Sequence, residues 1–313
     1  MIASEKMALI LFLLLAASPY VLEIVFLVRY INNKSKKKNA AKIFVSKPAF
    51  AIHTIAAAGI ICFLYALLIE PYWLEVKNIT IETEKISSAE LRIVHISDLH
   101  CEEKIRNEKR LVEEINALRP DVIVFTGDSL NTSDALANFK KTMGDLKAGI
   151  GKFAVRGNFD VWNWRDLDLF GGTGFELLDE DTVKVEKNGE SFYISGLSCK
   201  KPSEVKKVLA DVPGDCFSIF LFHYPDLIKD IDNLNVDLYL CGHTHGGQVA
   251  IPFYGAIITF SKYGKKYESG MYKVGETILY VNRGIGMESS PAPKVRFFSR
   301  PEITVIDIKP KTK

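Results

Sequence analysis

The chain is short of everything that marks a disulfide scaffold, a repeat array or a polyanion binder. Its five cysteines are an odd number at no framework spacing. That argues against a disulfide-stabilised secreted domain, and toward a reducing compartment or no disulfides at all. Cys62 lies in an apolar run, and nothing in the spacing of Cys199 and Cys216 pairs them. Lysine plus arginine, at 40, nearly cancels aspartate plus glutamate, at 38. Such a balance creates no global field for nucleic acid, and none is expected as a partner. No internal repeat or low-complexity tract occurs, which excludes a solenoid. Histidine is scarce too, six in 313 residues, so the places where it falls matter.

What is present divides the chain in two. Ala8–Val28 is almost wholly apolar, interrupted by Pro19 and Glu23, and Ala49–Ile69 is a second apolar run whose only polar side chains are His53 and Thr54. Each is long enough to cross a bilayer, which takes about 20 residues. A cleavable signal peptide ending near Ala16-Ala17-Ser18 is the alternative for the first run, but the apolar stretch continues well past that point. A buried core helix is the alternative for the second; its length and its place ahead of the β-rich remainder of the chain argue against it. Glu23 and His53 are expected to face each other across the hairpin, since ionisable groups in a membrane seek partners. A packing contact is the favoured reading of that pair over a proton path.

The segment Asn32–Lys47 carries Lys34, Lys36, Lys37, Lys38, Lys42 and Lys47 and no acid. A short basic loop stays in the cytoplasm, which puts both outer ends of the hairpin, and residues 72–313, on the far side of the cell (inner) membrane. Pro71, Tyr72 and Trp73 follow the second run as an interfacial aromatic belt. The expected organisation is a two-span anchor over 1–71, with helices at about 8–28 and 49–69, and a catalytic domain over 72–313.

Within that domain, five apolar β-rich runs each end in a potential metal ligand. Leu91–Ser97 delivers Asp98 and His100, Asp121–Thr126 leads to Gly127-Asp128, and Lys152–Arg156 leads to Gly157-Asn158. Ser218–Phe222 ends at His223, and Val236–Cys241 ends at Gly242-His243-Thr244-His245. Strand ends along one sheet edge are where α/β proteins gather chemistry. Any one Gly-Asp turn or lone histidine is weak. Four of the six histidines in this set, beside carboxylates and an amide, fit two divalent ions held side by side, the machinery of phosphoester hydrolysis. His95, inside a strand pattern, reads as core or as a support behind the ligands. Glu102–Leu118, with apolar residues at helical spacing, predicts the helix after the first motif, and Ser203–Leu209 and Asp226–Leu234 predict short helices.

These motifs together resemble the calcineurin-like metallophosphoesterase superfamily, in its membrane-associated YaeI/YkuE-type branch, over roughly residues 72–308. Gly246-Gly247-Gln248 after the last histidine, and Asn282-Arg283-Gly284-Ile285-Gly286 followed by Arg296 and Pro301-Glu302-Ile303, are typical of that branch. The resemblance implies an α/β fold, a four-layer αββα sandwich of two mixed β-sheets, here preceded by the transmembrane hairpin. It implies a first ion on Asp98, His100 and His245, a second on Asn158, His223 and His243, and Asp128 bridging both. A water between the two cations is implied as nucleophile, in its hydroxide form. Asp128, Asn158, His243 and Asp160 are the expected catalytic residues. The mixed nitrogen and oxygen donors suit Mn best, or Fe or Zn, rather than Ca or Mg.

Two departures bear on substrate. Phe159 stands where the family usually has the histidine that protonates the leaving oxygen, oriented by the next acid, here Asp160. Either another group supplies the proton or the leaving group needs none. The latter favours a phosphodiester or pyrophosphate substrate, lipid-linked in the reading closest to the hydrolases of UDP-2,3-diacylglucosamine and hence to lipid A biosynthesis. That nucleotide lipid is cytoplasmic, which opposes the topology the lysines favour. Asn131 stands where an acid often closes the second motif, which puts fine tuning in doubt rather than metal binding. Trp162, Trp164, Arg283 and Arg296 are candidate substrate-binding residues, the arginines as bidentate phosphate clamps, and Phe253–Tyr272 mixes core residues with candidates for lipid contact. The competing function is a membrane-tethered scaffold that kept the fold and lost the chemistry. Only the missing histidine supports it, against seven retained ligand positions.

Overall fold

A computed structural model describes residues 1–35, 46–288 and 293–311. The two apolar runs are helices, α1 (Ala3–Ser35) and α2 (Lys47–Leu68), packed against each other. Small residues make the close approach possible. Ala49, Ala56 and Ala66 are the buried positions of α2, and a Cβ on Gly59 would lie 2.4 Å from the Tyr20 hydroxyl. That hydroxyl donates to the Ala56 carbonyl at 3.2 Å. The expected contact between the helices is present, with His53 Nδ1 2.5 Å from Glu23 Oε1. Away from this seam the helices expose leucine, isoleucine and valine along most of their length. Lys36, Lys37, Lys38 and Lys42 of the basic loop lie outside the described residues.

The rest is built on two six-stranded sheets. The first takes β1 (Glu75–Thr83), β2 (Leu91–Ile96), β3 (Val122–Phe125), β4 (Gly151–Ala154) and β5 (Phe175–Leu177). The second takes β6 (Asp181–Lys187), β7 (Glu190–Gly196), β8 (Phe217–Leu221) and β9 (Leu238–Cys241). After a two-stranded hairpin, β10 (Ala250–Ile251) and β11 (Gly255–Ala256), the second sheet is completed by β12 (Gly270–Val274) and β13 (Thr277–Val281). The last strand, β14 (Glu302–Pro310), returns to the first sheet between β1 and β2. The pairs β2–β3, β3–β4 and β8–β9 are parallel, while β14–β2, β6–β7 and β12–β13 are antiparallel, so both sheets are mixed.

The central strands are buried on both faces, which is why they read as continuous apolar runs such as Val-Ile-Val-Phe and Phe-Ser-Ile-Phe-Leu. Leu91, Ile93, Val122 and Val124 of the first sheet pack against Phe192, Ile219, Leu221 and Leu240 of the second. Leu111, Ile115, Phe139 and Met143 cover the other face of the first sheet. Leu209, Ile228 and Ile231 cover that of the second. The arrangement is the four-layer αββα sandwich.

One element is shorter than its periodicity suggests. The helix expected from Glu102 begins at Glu108 and runs to Leu118. Asn138 Nδ2 donates to the Glu102 and Glu103 carbonyls, at 3.1 and 2.6 Å, taking acceptors that a helix needs, and Ile105 is exposed. Of the other two expected helices, the first is a 3₁₀ turn running into Val205–Val208, and the second contains only the 3₁₀ turn Pro225–Leu227.

Candidate metal centre

The carboxyl ends of β2, β3 and β4 in one sheet meet those of β8 and β9 in the other. Asp98 and His100 follow β2, Asp128 follows β3, Asn158 follows β4, His223 follows β8, and His243 and His245 follow β9. The backbone pays strain to turn there. Asp98, His100, Asp128, His243 and His245 all have positive φ, between 40° and 69°, a region that non-glycine residues enter at a cost. Two glycines are required by proximity. A Cβ on Gly157 would lie 2.2 Å from Asp128 Oδ1, and one on Gly242 would lie 2.1 Å from Asp98 Oδ2.

The side chains form two clusters. Asp98, His100 and His245 make one and Asp128, His223 and His243 the other, with the ligand atoms of each within 4.8 Å of one another. Asn158 Oδ1 lies 3.0 Å from His223 Nε2 and so joins the second. The Oδ2 atom of Asp128 sits between the clusters, 3.6 Å from His100 Nε2 and 3.2 Å from His223 Nε2. The buried Nε2 atoms of His100 and His243 have no hydrogen-bond partner. Orphaned ring nitrogens beside two buried carboxylates are costly as they stand and suit a cation, so the residues fit a pair of divalent ions.

The surroundings prepare the rings for that. His223 Nδ1 donates to the Thr126 carbonyl at 2.7 Å, and His100 Nδ1 donates to Asn131 Oδ1 at 2.9 Å, which leaves each Nε2 facing the cluster. Asn131 thus orients His100 as an acid would, while its amide donates to Glu102 Oε1 and the Met287 carbonyl. Burial pushes His100 down to about 4, holding it neutral. Burial and the charge of Asp128 push Asp98 up to about 7. Burial alone would raise Asp128 as well, but the charge and hydrogen bond of His223 outweigh it and hold that carboxyl at about 2. His95 is fully buried and hydrogen-bonds Thr126 Oγ1 at 2.9 Å, so it supports the strand ends from behind.

Several expected site residues prove to do other work. Asp160 was assigned a catalytic part, but its carboxylate is spent on the backbone. Oδ2 accepts from the N–H groups of Asp128 and Gly157, and Oδ1 from that of Ser129, each at 2.9 Å. It clamps the two turns that carry Asp128 and Asn158. Arg296 is not a phosphate clamp. It is fully buried and donates to the carbonyls of Arg283, Gly284, Gly286 and Ser299. Arg283 is committed to Glu302 and Glu75, each at 2.5 Å. Trp164 donates its Nε1 to the Leu130 carbonyl and packs on the core, which makes it structural. Trp162 is 70% exposed and lines, with Arg156, Arg165, Ser198 and Lys200, a hollow of about 510 Å³. It opens beside the short helix Asn158–Asn163, which starts at a candidate ligand. Arg156 and Lys200 went unnoticed in the sequence, where isolated basic residues carry no signal.

The family model for calcineurin-like phosphoesterases matches residues 91–247, from the start of β2 to just past the last ligand. The uncharacterised metallophosphoesterase YkuE of Bacillus subtilis is 35% identical over 263 residues, covering 78% of this chain and 89% of its own. Phosphodiesterase YaeI of Escherichia coli is 27% identical, covering 85% of this chain and 97% of its own. The UDP-2,3-diacylglucosamine pyrophosphatase LpxG of Chlamydia trachomatis is 26% identical, covering 82% and 95%. Because the matched span falls on the same strand ends that carry both clusters, the chain belongs to the calcineurin-like phosphoesterases, hydrolases of phosphoester bonds that use divalent metals.

Proposed function

We propose that the chain is a membrane-anchored, two-metal phosphohydrolase acting on a phosphodiester or pyrophosphate carried by a lipid. The observation that carries this reading is the position of Asp128, whose Oδ2 lies between a histidine of each cluster. Asp98, His100 and His245 would hold one ion and Asn158, His223 and His243 the other, with Asp128 shared, and Mn is the best match to the donors. When bound, such ions would polarise the phosphoryl oxygens and lower the pKa of a water toward neutrality, making it a nucleophile. The amide N–H of Asn158, whose Oδ1 faces the second cluster, is the group left to steady charge on the phosphoryl oxygens. The hollow at Trp162, lined by Arg156 and Lys200 and by the Arg165–Asp166 pair and Asp179, takes the leaving group, with the indole face accepting a flat ring.

A membrane site is supported by the two helices, 33 and 22 residues long, and by the aromatics around their outer ends. Tyr72, Trp73, Phe253, Tyr254, Phe260 and Phe298 are all exposed, the composition of an interfacial belt. The names of two relatives, a pyrophosphatase and a phosphodiesterase, bracket the bond type.

Purified full-length protein should contain close to two ions per chain. With Mn²⁺ it should hydrolyse a UDP-linked glucosamine lipid or a bis-aryl phosphodiester faster than an alkyl monoester. Protein free of metal and inactive on the whole panel would leave the scaffold reading in its place. On topology, the lysine loop favours an extracytoplasmic domain, so protease added to intact spheroplasts should digest residues 72–313. Complete protection until lysis would move the domain, and a cytoplasmic nucleotide-lipid substrate with it, to the inner side.

A further inference from the structure

The matched family span stops at residue 247, yet His245 of the last motif is held by a segment beyond it, and that segment is fastened to the second apolar helix. Near the C-terminal end of α2, the Ala66 carbonyl accepts from the Arg296 N–H at 3.0 Å. Just past that helix, Glu70 is 1% exposed and its carboxylate accepts from the N–H groups of Phe298 and Ser299, at 2.9 and 2.5 Å. Ser299 Oγ in turn donates to the carbonyl of His245, and Arg296 Nη2 reaches the Nδ1 edge of the same ring at 3.3 Å. The Arg296 guanidinium also gathers the carbonyls of Gly284 and Gly286. A Cβ on Gly284 would lie 2.6 Å from Asp98 Cβ, and one on Gly286 2.7 Å from His100 Cβ. The segments 284–286 and 296–299 therefore back all three residues of the first cluster, and α2 with Glu70 holds the second of them.

The other helix is fastened to the domain in a similar way. Glu5, in the first turn of α1, is 2% exposed. Its Oε1 accepts from the N–H and the hydroxyl of Thr259, at 2.8 and 2.7 Å. Two carboxylates buried at the domain ends of an apolar hairpin are expensive. Both are satisfied by the domain, and Glu70 by the segment that also holds His245.

We infer that the membrane hairpin is part of the metal centre's scaffold, with Glu70 acting as a positioning residue for His245. The inference rests on the two-metal reading above. Groups that orient ligands from behind typically change metal affinity by about 10–100-fold when lost. Removing the Glu70 carboxylate should loosen the ion of the Asp98, His100 and His245 cluster and leave the other held.

The test is chelator-driven release of Co²⁺ from the full-length protein in nanodiscs, followed by its visible spectrum. Glu70→Ala should speed release of one of two ions by about 10–100-fold, with a changed ligand-field band. Glu70→Gln, which keeps an acceptor oxygen, should restore part of the loss. Glu23→Ala is the control, because it breaks the contact with His53 inside the same hairpin and touches no segment behind the ligands; it should release both ions at the wild-type rate. Two ions held equally well by wild type and Glu70→Ala would overturn the inference while leaving the two-metal reading intact. Equal loosening by Glu23→Ala would overturn it as general hairpin damage. A wild type that retains no ion defeats the two-metal reading, and this inference with it.

Discussion

Asp128→Asn is expected to lower turnover by at least about 10³-fold and to cut bound metal from two ions per chain to one or fewer. Asparagine is the sharper change because it separates charge from shape. In the native chain Asp128 Oδ1 accepts from the Phe159 N–H at 2.8 Å, while Oδ2 faces His100 and His223. An amide oxygen can keep the first contact and hold the turn, so the fold survives. What disappears is the negative charge that two cations would share, in a site where burial magnifies each charge. Asp128→Ala also frees the Phe159 N–H and should lose at least as much activity. Neither change reaches the hairpin, so the protein should still fractionate with membranes. Metal analysis beside initial rates decides the matter. Full turnover with two ions retained would mean that Asp128 is not the bridge.

The ligand positions were legible in the sequence for a physical reason. Strands buried on both faces are largely apolar, so the polar residues just past each run stand out, and in this chain one within four residues of each strand end belongs to a cluster. Val122–Phe125 followed by Gly127-Asp128 is the plainest case. The two long apolar helices were legible through their length, and the contact between Glu23 and His53 through the rule that an isolated charge in an apolar run needs a partner. Burial of arginine was not legible. Arg283 and Arg296 read in the sequence as candidate phosphate clamps, yet their donors are consumed by carboxylates and carbonyls. The same holds for Asp160, whose neighbour in sequence suggested proton transfer while its geometry serves three backbone amides. Glu5 and Glu70 did leave a trace, as lone acids at the two domain ends of an apolar hairpin. Nothing local says which loop each one meets, more than 200 residues away.

The remaining question is what Phe159 does to the choice of substrate. Its ring stands edge-on to His100, with centroids 4.8 Å apart, so this position borders the first cluster. A phenyl ring there shields the ligand but has no proton to give. Departure of an alkyl alkoxide gains about 10²–10⁴-fold from a well-placed acid, whereas a nucleoside phosphate or aryl oxide leaves readily as an anion. Aryl esters and pyrophosphates should therefore be cleaved much faster than alkyl esters of matched size, in the chemical step rather than in binding. Phe159→His should raise the alkyl rate selectively, but modestly. Asp160 is already saturated by backbone donors and is not free to orient the new ring. A gain of about 10-fold, short of the range for an oriented acid, is the expected result, seen as a new basic limb in the pH–rate profile of the alkyl substrate. The measurement is single-turnover hydrolysis of paired alkyl and aryl diesters by both proteins. Equal rates on the pair with the wild-type chain would show that another residue supplies the proton, and the link from Phe159 to an activated leaving group would fall.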